Sequence, residues 1–166
     1  MKTVLLMRHA KSSWKDYKLK DFDRPLSKRG KREAPLMGKM LAEKELVPQM
    51  ILSSPAIRAR STAEIVSEKC GYRGEITYVD SFYLSEPEIY AAAIRSLPDE
   101  IERALLIGHN PGLEGLLQIL SGQVESLPTS AIAYLVFPAQ HWNEFDRVRH
   151  PEICELWRPP DKKNKK

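Results

Sequence analysis

The stretch Thr3-Val4-Leu5-Leu6-Met7-Arg8-His9, residues 3–9, decides how this sequence folds. Its first five residues form a short run, apolar after the leading threonine, and this pattern predicts a strand buried on both faces of a sheet. Arg8 and His9 follow the run at once. The stretch therefore predicts a core strand that delivers two basic side chains to one edge of a sheet.

Similar short apolar runs recur along the chain, with helical patterns between them. Strands alternating with helices predict an α/β fold in which helices cover both faces of a mostly parallel sheet. The 166 residues suit one compact domain, which we assign to residues 1–160. The further predicted strands are Met50–Leu52, Ile76–Val79, Ala104–Ile107, Ala131–Phe137 and Cys154–Trp157.

Four helices are expected between these strands. Two of them are expected to start at a capping residue followed by proline, Ser54-Pro55 and Asn110-Pro111, and to stop at Gly71 and Gly122. A third is expected over residues 27–44, beginning or bending at Pro35, and a fourth over Glu86–Leu97. Leu19–Ser27 is expected to be a long loop.

The net charge of +4 is concentrated at one end of the chain. The last six residues, 161–166, hold four lysines and one aspartate and are expected to form a disordered tail. The rest of the chain is nearly balanced in charge, which argues against a general nucleic-acid surface. Apolar runs also stay well below the roughly 18 residues of a membrane helix, so we expect a cytoplasmic protein without a membrane partner.

Three predicted strand ends bring chemically useful side chains together. The first strand ends in Arg8-His9, the second leads into Arg58, and the fourth ends in Gly108-His109-Asn110-Pro111. In an open parallel sheet, ligands bind beyond the carboxyl ends of the strands. If the three strands are neighbours, two arginines and two histidines meet at one site.

That set of side chains suits a phosphoryl group. Arginine binds phosphate oxygens two at a time, and helix N-termini add unpaired N–H groups. A neutral imidazole is a nucleophile whose phosphorylated form hydrolyses readily. Such a site stabilises phosphoryl transfer through positioning and charge, so we expect neither a metal nor a cofactor. His141 and His150 have no comparable context and receive no role.

The motifs together resemble the histidine phosphatase superfamily, and within it the small SixA-type phosphohistidine phosphatases. The resemblance rests on residues 6–12 (LMRHAKS), 23–30 (DRPLSKRG), 53–59 (SSPAIRA) and 108–112 (GHNPG). It implies a three-layer α/β/α fold of the phosphoglycerate-mutase type. It also implies that His9 carries the phosphoryl group, with Arg8, Arg58 and His109 around it and Asn110 beside the substrate.

Two positions depart from the wider superfamily. Ala10 replaces the glycine that usually follows the first Arg-His pair, as it often does in the small branch. Asn110 stands where acid-phosphatase relatives carry an aspartic acid that protonates the leaving group. Glu86 and Glu88 lie in the region where other relatives place a catalytic glutamate, but the match is too loose to assign that role to either.

Three functions remain open on the sequence. The favoured one is hydrolysis of phosphohistidine or phosphoprotein substrates, because the chain is too short to build a lid over the site. The second is a small-molecule phosphatase or mutase acting on sugar phosphates, nucleotides or related esters, and the third is a phosphate-binding module without turnover. Asp21 and Asp23 could also be read as a metal-binding pair, although two such carboxylates beside Arg24 are more often an ion-pair or turn feature.

Overall fold

A six-stranded sheet forms the centre of the molecule in a computed structural model that describes residues 1–84, 86–145 and 152–161. The strands are β1 (Lys2–Arg8), β2 (Met50–Ser53), β3 (Ile76–Tyr78), β4 (Arg103–Gly108), β5 (Ile132–Phe137) and β6 (Glu152–Trp157). They lie in the order β3-β2-β4-β1-β5-β6, and β5 runs antiparallel to both of its neighbours, whereas the other pairs are parallel. The mostly parallel sheet is confirmed.

Helices cover both faces of this sheet because the buried strands are apolar on both sides. The helices are α1 (Lys28–Glu43), α2 (Ile57–Cys70), α3 (Pro87–Arg95) and α4 (Gly112–Ser121). Along β1, Leu5 and Met7 pack with residues of α1 and α2, whereas Val4 and Leu6 pack with residues of α3 and α4. The period of two in a strand thus divides one apolar run between two cores, and the three-layer α/β/α fold is confirmed.

Helix α1 settles where the predicted third helix begins. The Oγ of Ser27 accepts a hydrogen bond from the Gly30 N–H at 3.1 Å, so the helix starts at Lys28 and runs through Pro35. Gly30 also lies against the loop after His9, where a Cβ atom would come within 2.2 Å of the Lys11 carbonyl oxygen. Only glycine lets this end of α1 approach the site so closely.

The predicted starts of two other helices are wrong. Helix α2 begins at Ile57 after Ala56, not at Pro55, because the Ser54 hydroxyl is bound to His109 instead of capping the helix. Helix α4 begins at Gly112, with Pro111 as the residue before it. Both predicted stops are confirmed: Gly71 and Gly122 have φ values of 83° and 74°, the left-handed region that glycine enters without strain.

The remaining expectations fall in shorter segments. The expected loop Leu19–Ser27 contains one turn of 3-10 helix, Asp21–Asp23. His150 and residues 162–166 of the predicted tail lie outside the described residues. Within the part of the chain that is described, no helix is both long and apolar enough to cross a membrane.

Candidate active site

The carboxyl ends of β1, β2 and β4 open into a cleft of about 530 Å³. Strand register builds this cleft: Arg8 of β1 pairs with Gly108 of β4, so His9 and His109 follow side by side. All five residues predicted for the site line the cleft. Its lining consists of Arg8, His9, Lys11, Ser12, Trp14, Asp21, Arg24, Arg58, Tyr83, His109, Asn110 and Thr129.

Of the two ring nitrogens of His9, Nδ1 has a hydrogen-bond partner and Nε2 has none among the described residues. Its Nδ1 lies 2.7 Å from the Ala10 carbonyl oxygen. A carbonyl only accepts, so we assign the proton to Nδ1, which leaves a lone pair on Nε2. The residue is buried, and burial lowers the pKa of His9 to about 3, with the charges of Arg58 and Arg8 acting in the same direction. The ring is therefore neutral, and nucleophilic, throughout the physiological pH range.

His109 is held from two sides. Its Nε2 lies 2.7 Å from the Ser54 Oγ, and its backbone N–H donates to the Tyr90 hydroxyl oxygen at 3.0 Å. The His109 ring centre lies 5.1 Å from that of His9. Burial lowers the pKa of His109 to about 4, and nearby Arg58 adds to this. A neutral His109 is thus fixed beside His9.

Arg8 lines the same cleft and has N–H groups without a close hydrogen-bond partner among the described residues. Its Nε is buried and has no hydrogen-bond partner among the described residues, and Nη1 makes only a long 3.5 Å contact with the Leu127 carbonyl oxygen. Burial is the main cause of a lowered pKa at Arg8. Donors without partners in a buried position favour an anion as the missing partner.

Arg58 is oriented by Asp21, which comes from the loop before α1. Its Nη1 donates to the Asp21 carbonyl oxygen at 2.8 Å, and its Nη2 to the Asp21 carboxylate at 3.0 Å. The same carboxylate accepts from Arg24 at 2.9 Å and from the Tyr83 hydroxyl at 2.7 Å. These donors lower the pKa of Asp21 to about 2, against the opposing effect of burial. Arg58 keeps N–H groups for a further anion because a guanidinium has five.

The network explains Asp21 without a metal. Its carboxylate binds Arg24 and Arg58, in line with the ion-pair interpretation of the sequence. Within the described ranges, no group of three or more histidine, cysteine, aspartate or glutamate side chains is arranged to hold a metal ion.

Asn110 lies in the cleft wall, with its side chain already bound. Its Nδ2 donates to Glu114 Oε1 and to the Leu127 carbonyl oxygen, both at 2.8 Å. Its Oδ1 accepts from the Glu114 backbone N–H at 3.3 Å, and Glu114 Oε1 accepts from the Leu127 N–H at 2.9 Å. Together the two side chains clamp the Leu127 peptide groups. The prediction that Asn110 binds substrate would require it to give up one of these bonds.

Comparison with known proteins identifies the family. The model of the histidine phosphatase superfamily, branch 1, matches residues 4–82. A chloroplastic protein of Arabidopsis thaliana, itself uncharacterised, is 34% identical over 151 residues, which cover 85% of this chain and 69% of the relative. The chain belongs to the histidine phosphatase superfamily.

Solved structures place this histidine phosphatase near the SixA proteins. A proposed phosphohistidine phosphatase SixA of Agrobacterium tumefaciens is 28% identical with a TM-score of 0.82, over 95% of this chain and 98% of the other. The protein histidine phosphatase SixA complexed with tungstate has the same fold at 23% identity and a TM-score of 0.79, over 93% and 95% of the two chains. The chain is therefore a histidine-nucleophile phosphatase, a hydrolase.

Sequence reasoning missed several side chains of this histidine phosphatase site. Arg24 lines the same cleft as His9, and its guanidinium stacks 3.2 Å from the centre of the Trp14 ring. Tyr83 reaches the site from the 3-10 turn after β3. The spacing of Asp21 and Arg24, three residues apart in a tight turn, was the one signal that could have indicated part of this network.

The two glutamates in the region where relatives place a catalytic glutamate lie outside the cleft. Neither Glu86 nor Glu88 lines the cleft, and Glu88 is paired with Arg95. Of the described residues that line it, Asp21 is the one carboxylate, and its low pKa keeps it ionised. Among the described residues of the lining, therefore, none is a carboxylic acid ready to protonate a leaving group at neutral pH.

Proposed function

We propose that His9 accepts the phosphoryl group of a phosphorylated protein side chain, phosphohistidine first of all, and passes it to water. The observation that carries the proposal is the state of His9. Its ring is neutral, its Nδ1 is bound to the Ala10 carbonyl oxygen, its Nε2 is free, and it lines the same cleft as Arg8 and Arg58. A nucleophile between two phosphate-binding arginines favours turnover over simple phosphate binding.

The first half of the reaction follows from this arrangement. The phosphoryl oxygens contact the guanidinium groups of Arg8 and Arg58 and the ring of His109. The His9 Nε2 lone pair attacks phosphorus in line, and the bond from phosphorus to the substrate nitrogen breaks. The departing nitrogen keeps the bonding electrons and takes a proton from water. The Nδ1–H of His9 stays bound to the Ala10 carbonyl oxygen, which stabilises the cationic ring of the intermediate.

The second half returns the enzyme to its starting state. Water attacks phosphorus opposite Nε2, the P–N bond to His9 breaks, and the electrons return to the ring as its lone pair. Inorganic phosphate leaves with the oxygen of that water, and the proton that the water loses neutralises the hydroxide left by the first half of the reaction. Because both histidines stay neutral near pH 7, no proton has to be removed from His9 before the next cycle.

The preference for phosphohistidine follows from the missing acid. A poor leaving group needs a proton in the transition state, whereas the ring nitrogen of phosphohistidine leaves easily and is protonated near neutral pH. The rim of the cleft is also accessible to a large substrate, with Trp14 70% exposed. We place this reaction in the cytoplasm, without a nucleic-acid or membrane partner.

A substrate panel tests the proposal. Purified enzyme is assayed with a histidine-phosphorylated protein, a phosphoserine peptide, sugar phosphates, nucleotides and an aryl phosphate, with His9→Ala as the blank for contaminating phosphatases. The highest kcat/KM is expected for phosphohistidine and a measurable rate for the aryl phosphate. A sugar phosphate or nucleotide turned over faster than phosphohistidine would instead support the small-molecule phosphatase.

A further inference from the structure

A second cleft adjoins the phosphoryl-binding cleft. It has a volume of about 440 Å³, and Thr129 lines both clefts. We call it the arginine cleft. It is lined by Arg29, Arg32 and Glu33 of α1, by Pro128 and Thr129 before β5, and by Arg158, Pro159, Pro160 and Asp161 after β6. A ligand bound at His9 could therefore continue past Thr129 into it.

Positive charge is concentrated along these two clefts. Together they are lined by seven basic and three acidic residues. This excess of four basic side chains equals the net charge of +4 of the whole chain, so the residues outside the two clefts are balanced in charge. The positive charge of the clefts is thus not continued over the rest of the chain, and it attracts anionic ligands to this face.

Two arginines of the second cleft have donors available. Arg29 is bound to Glu33 at 3.0 Å and is already paired. Arg32 is exposed and forms no ion pair or hydrogen bond with the residues that the structure describes. Arg158 is also exposed, and its one hydrogen bond with the described residues is a long one, 3.5 Å from Nη2 to the Ser126 carbonyl oxygen.

We propose that the arginine cleft binds acidic side chains that flank the phosphorylated residue of a protein substrate. The proposal rests on the proposed function, since it deepens the choice of a phosphoprotein as substrate. Guanidinium groups bind carboxylates in bidentate fashion, and two of them line this cleft, Arg32 from α1 and Arg158 from the segment after β6. Because the two clefts share Thr129, the acidic residues lie within a few positions of the phosphorylated one.

The lining of the cleft favours a peptide over a nucleic acid. Single-stranded nucleic acids bind through aromatic side chains on which bases stack, and none of the described residues that line this cleft is aromatic. Glu33 and Asp161 also lie in the walls, where they would repel an unbroken run of phosphates. Acidic side chains spaced along a peptide can avoid both carboxylates.

The test compares Arg32→Gln/Arg158→Gln with the wild type on two histidine-phosphorylated peptides that differ only in acidic or neutral flanking residues. Wild type is expected to prefer the acidic peptide. The double variant should lose roughly five- to tenfold in kcat/KM on that peptide, mainly through KM, as expected for two solvent-exposed ion pairs. Rates on the neutral peptide and on an aryl phosphate should not change. Arg73→Gln is the matched control, since Arg73 is exposed, lines neither cleft and lies beside β3 at the opposite edge of the sheet.

Direct binding separates this inference from the proposed function. Fluorescence anisotropy measures the affinity of wild type and double variant for the unphosphorylated acidic peptide. Weaker binding by the double variant supports the arginine cleft even if phosphopeptides prove poor substrates. Equal kcat/KM for both phosphopeptides in wild type would overturn the inference and leave the function standing. The inference would also be overturned if single-stranded RNA bound more tightly than the peptide at physiological salt and the same two substitutions weakened that binding. The arginine cleft would then be a nucleic-acid site.

Discussion

Asn110→Asp tests the clamp that holds the cleft wall. The substitution replaces an amide that donates to Glu114 Oε1 and to the Leu127 carbonyl oxygen, both at 2.8 Å, with an oxygen that cannot donate when ionised. Two acceptors then face the new carboxylate, and one of them carries a negative charge. The variant loses two hydrogen bonds of about 1 kcal/mol each and gains a repulsive contact, so we expect a loss of roughly 2–4 kcal/mol in unfolding free energy at pH 8.

The loss should depend on pH in a defined direction. Repulsion from Glu114 and lost hydrogen bonds raise the pKa of the introduced carboxyl above its unfolded value of about 3.9. A carboxyl whose pKa is higher in the folded than in the unfolded state lowers the unfolding free energy at pH values above its unfolded pKa. This destabilisation becomes smaller as the pH falls towards 4. When protonated, the new side chain again donates to Glu114. The difference from wild type should therefore be smaller at pH 5 than at pH 8.

Urea unfolding of wild type and variant at both pH values measures this difference. The double variant Asn110→Asp/Glu114→Gln is the control, because it removes the repulsion while the Leu127 carbonyl oxygen still lacks its donor. It should recover part of the loss at pH 8 and have little pH dependence. Equal stability of Asn110→Asp and wild type at pH 8, or an equal loss at both pH values, would refute the reasoning.

The same substitution should alter the choice of leaving group. A carboxyl that shares a proton with Glu114 near neutral pH supplies the acid that the cleft lacks. Asn110→Asp should therefore raise the ratio of alkyl to aryl phosphate turnover relative to wild type, whose rates should fall steeply with leaving-group basicity. A flat leaving-group dependence in the wild type would indicate a proton donor elsewhere, to be sought with Glu86→Gln and Glu88→Gln.

Three further predictions follow from the site. Arg58→Ala should lose on the order of 10²-fold or more in kcat/KM. Arg60→Ala should stay near wild type, because Arg60 lies outside the cleft. Equal losses in the two variants would mean that the wrong face of the helix has been assigned to the site. The kcat/KM profile on an aryl phosphate, corrected for the second ionisation of the substrate phosphate near pH 6, should have its acidic limb near pH 3–4 and no inflection at 6.5, since the pKa values of His9 and His109 lie at about 3 and about 4. Prolonged incubation with EDTA should leave activity unchanged, and a loss restored by magnesium or zinc would contradict charge stabilisation by arginine alone.

The strands of the sheet could be predicted from the sequence because the pattern that indicates each strand is local. Each buried strand is a short apolar run, and the side chains at the ends of β1 and β4 follow those runs directly. The predicted residues that line the cleft could therefore be found without a structure, once the strands were assumed to be neighbours. The register that places His9 beside His109 confirms that assumption.

The parts that were missed depend on contacts between distant segments. Asp21 lies 37 residues from Arg58 and 62 from Tyr83, and no pattern of spacing reports such pairs. The wrong helix start at Ser54 has the same origin. Its hydroxyl is within reach of either the helix N–H groups or His109, and only the fold shows that His109, 55 residues away, binds it.

Trapping the phosphorylated enzyme tests the central claim most directly. Wild type is mixed with labelled phosphohistidine protein or aryl phosphate, quenched within the first turnover, and the labelled residue is located by peptide mass spectrometry. We expect a phosphoryl group on His9 that is stable in base and lost in acid, and no label in His9→Ala. A base-labile acyl phosphate, or label that persists in His9→Ala together with a substantial fraction of wild-type turnover, would contradict that claim.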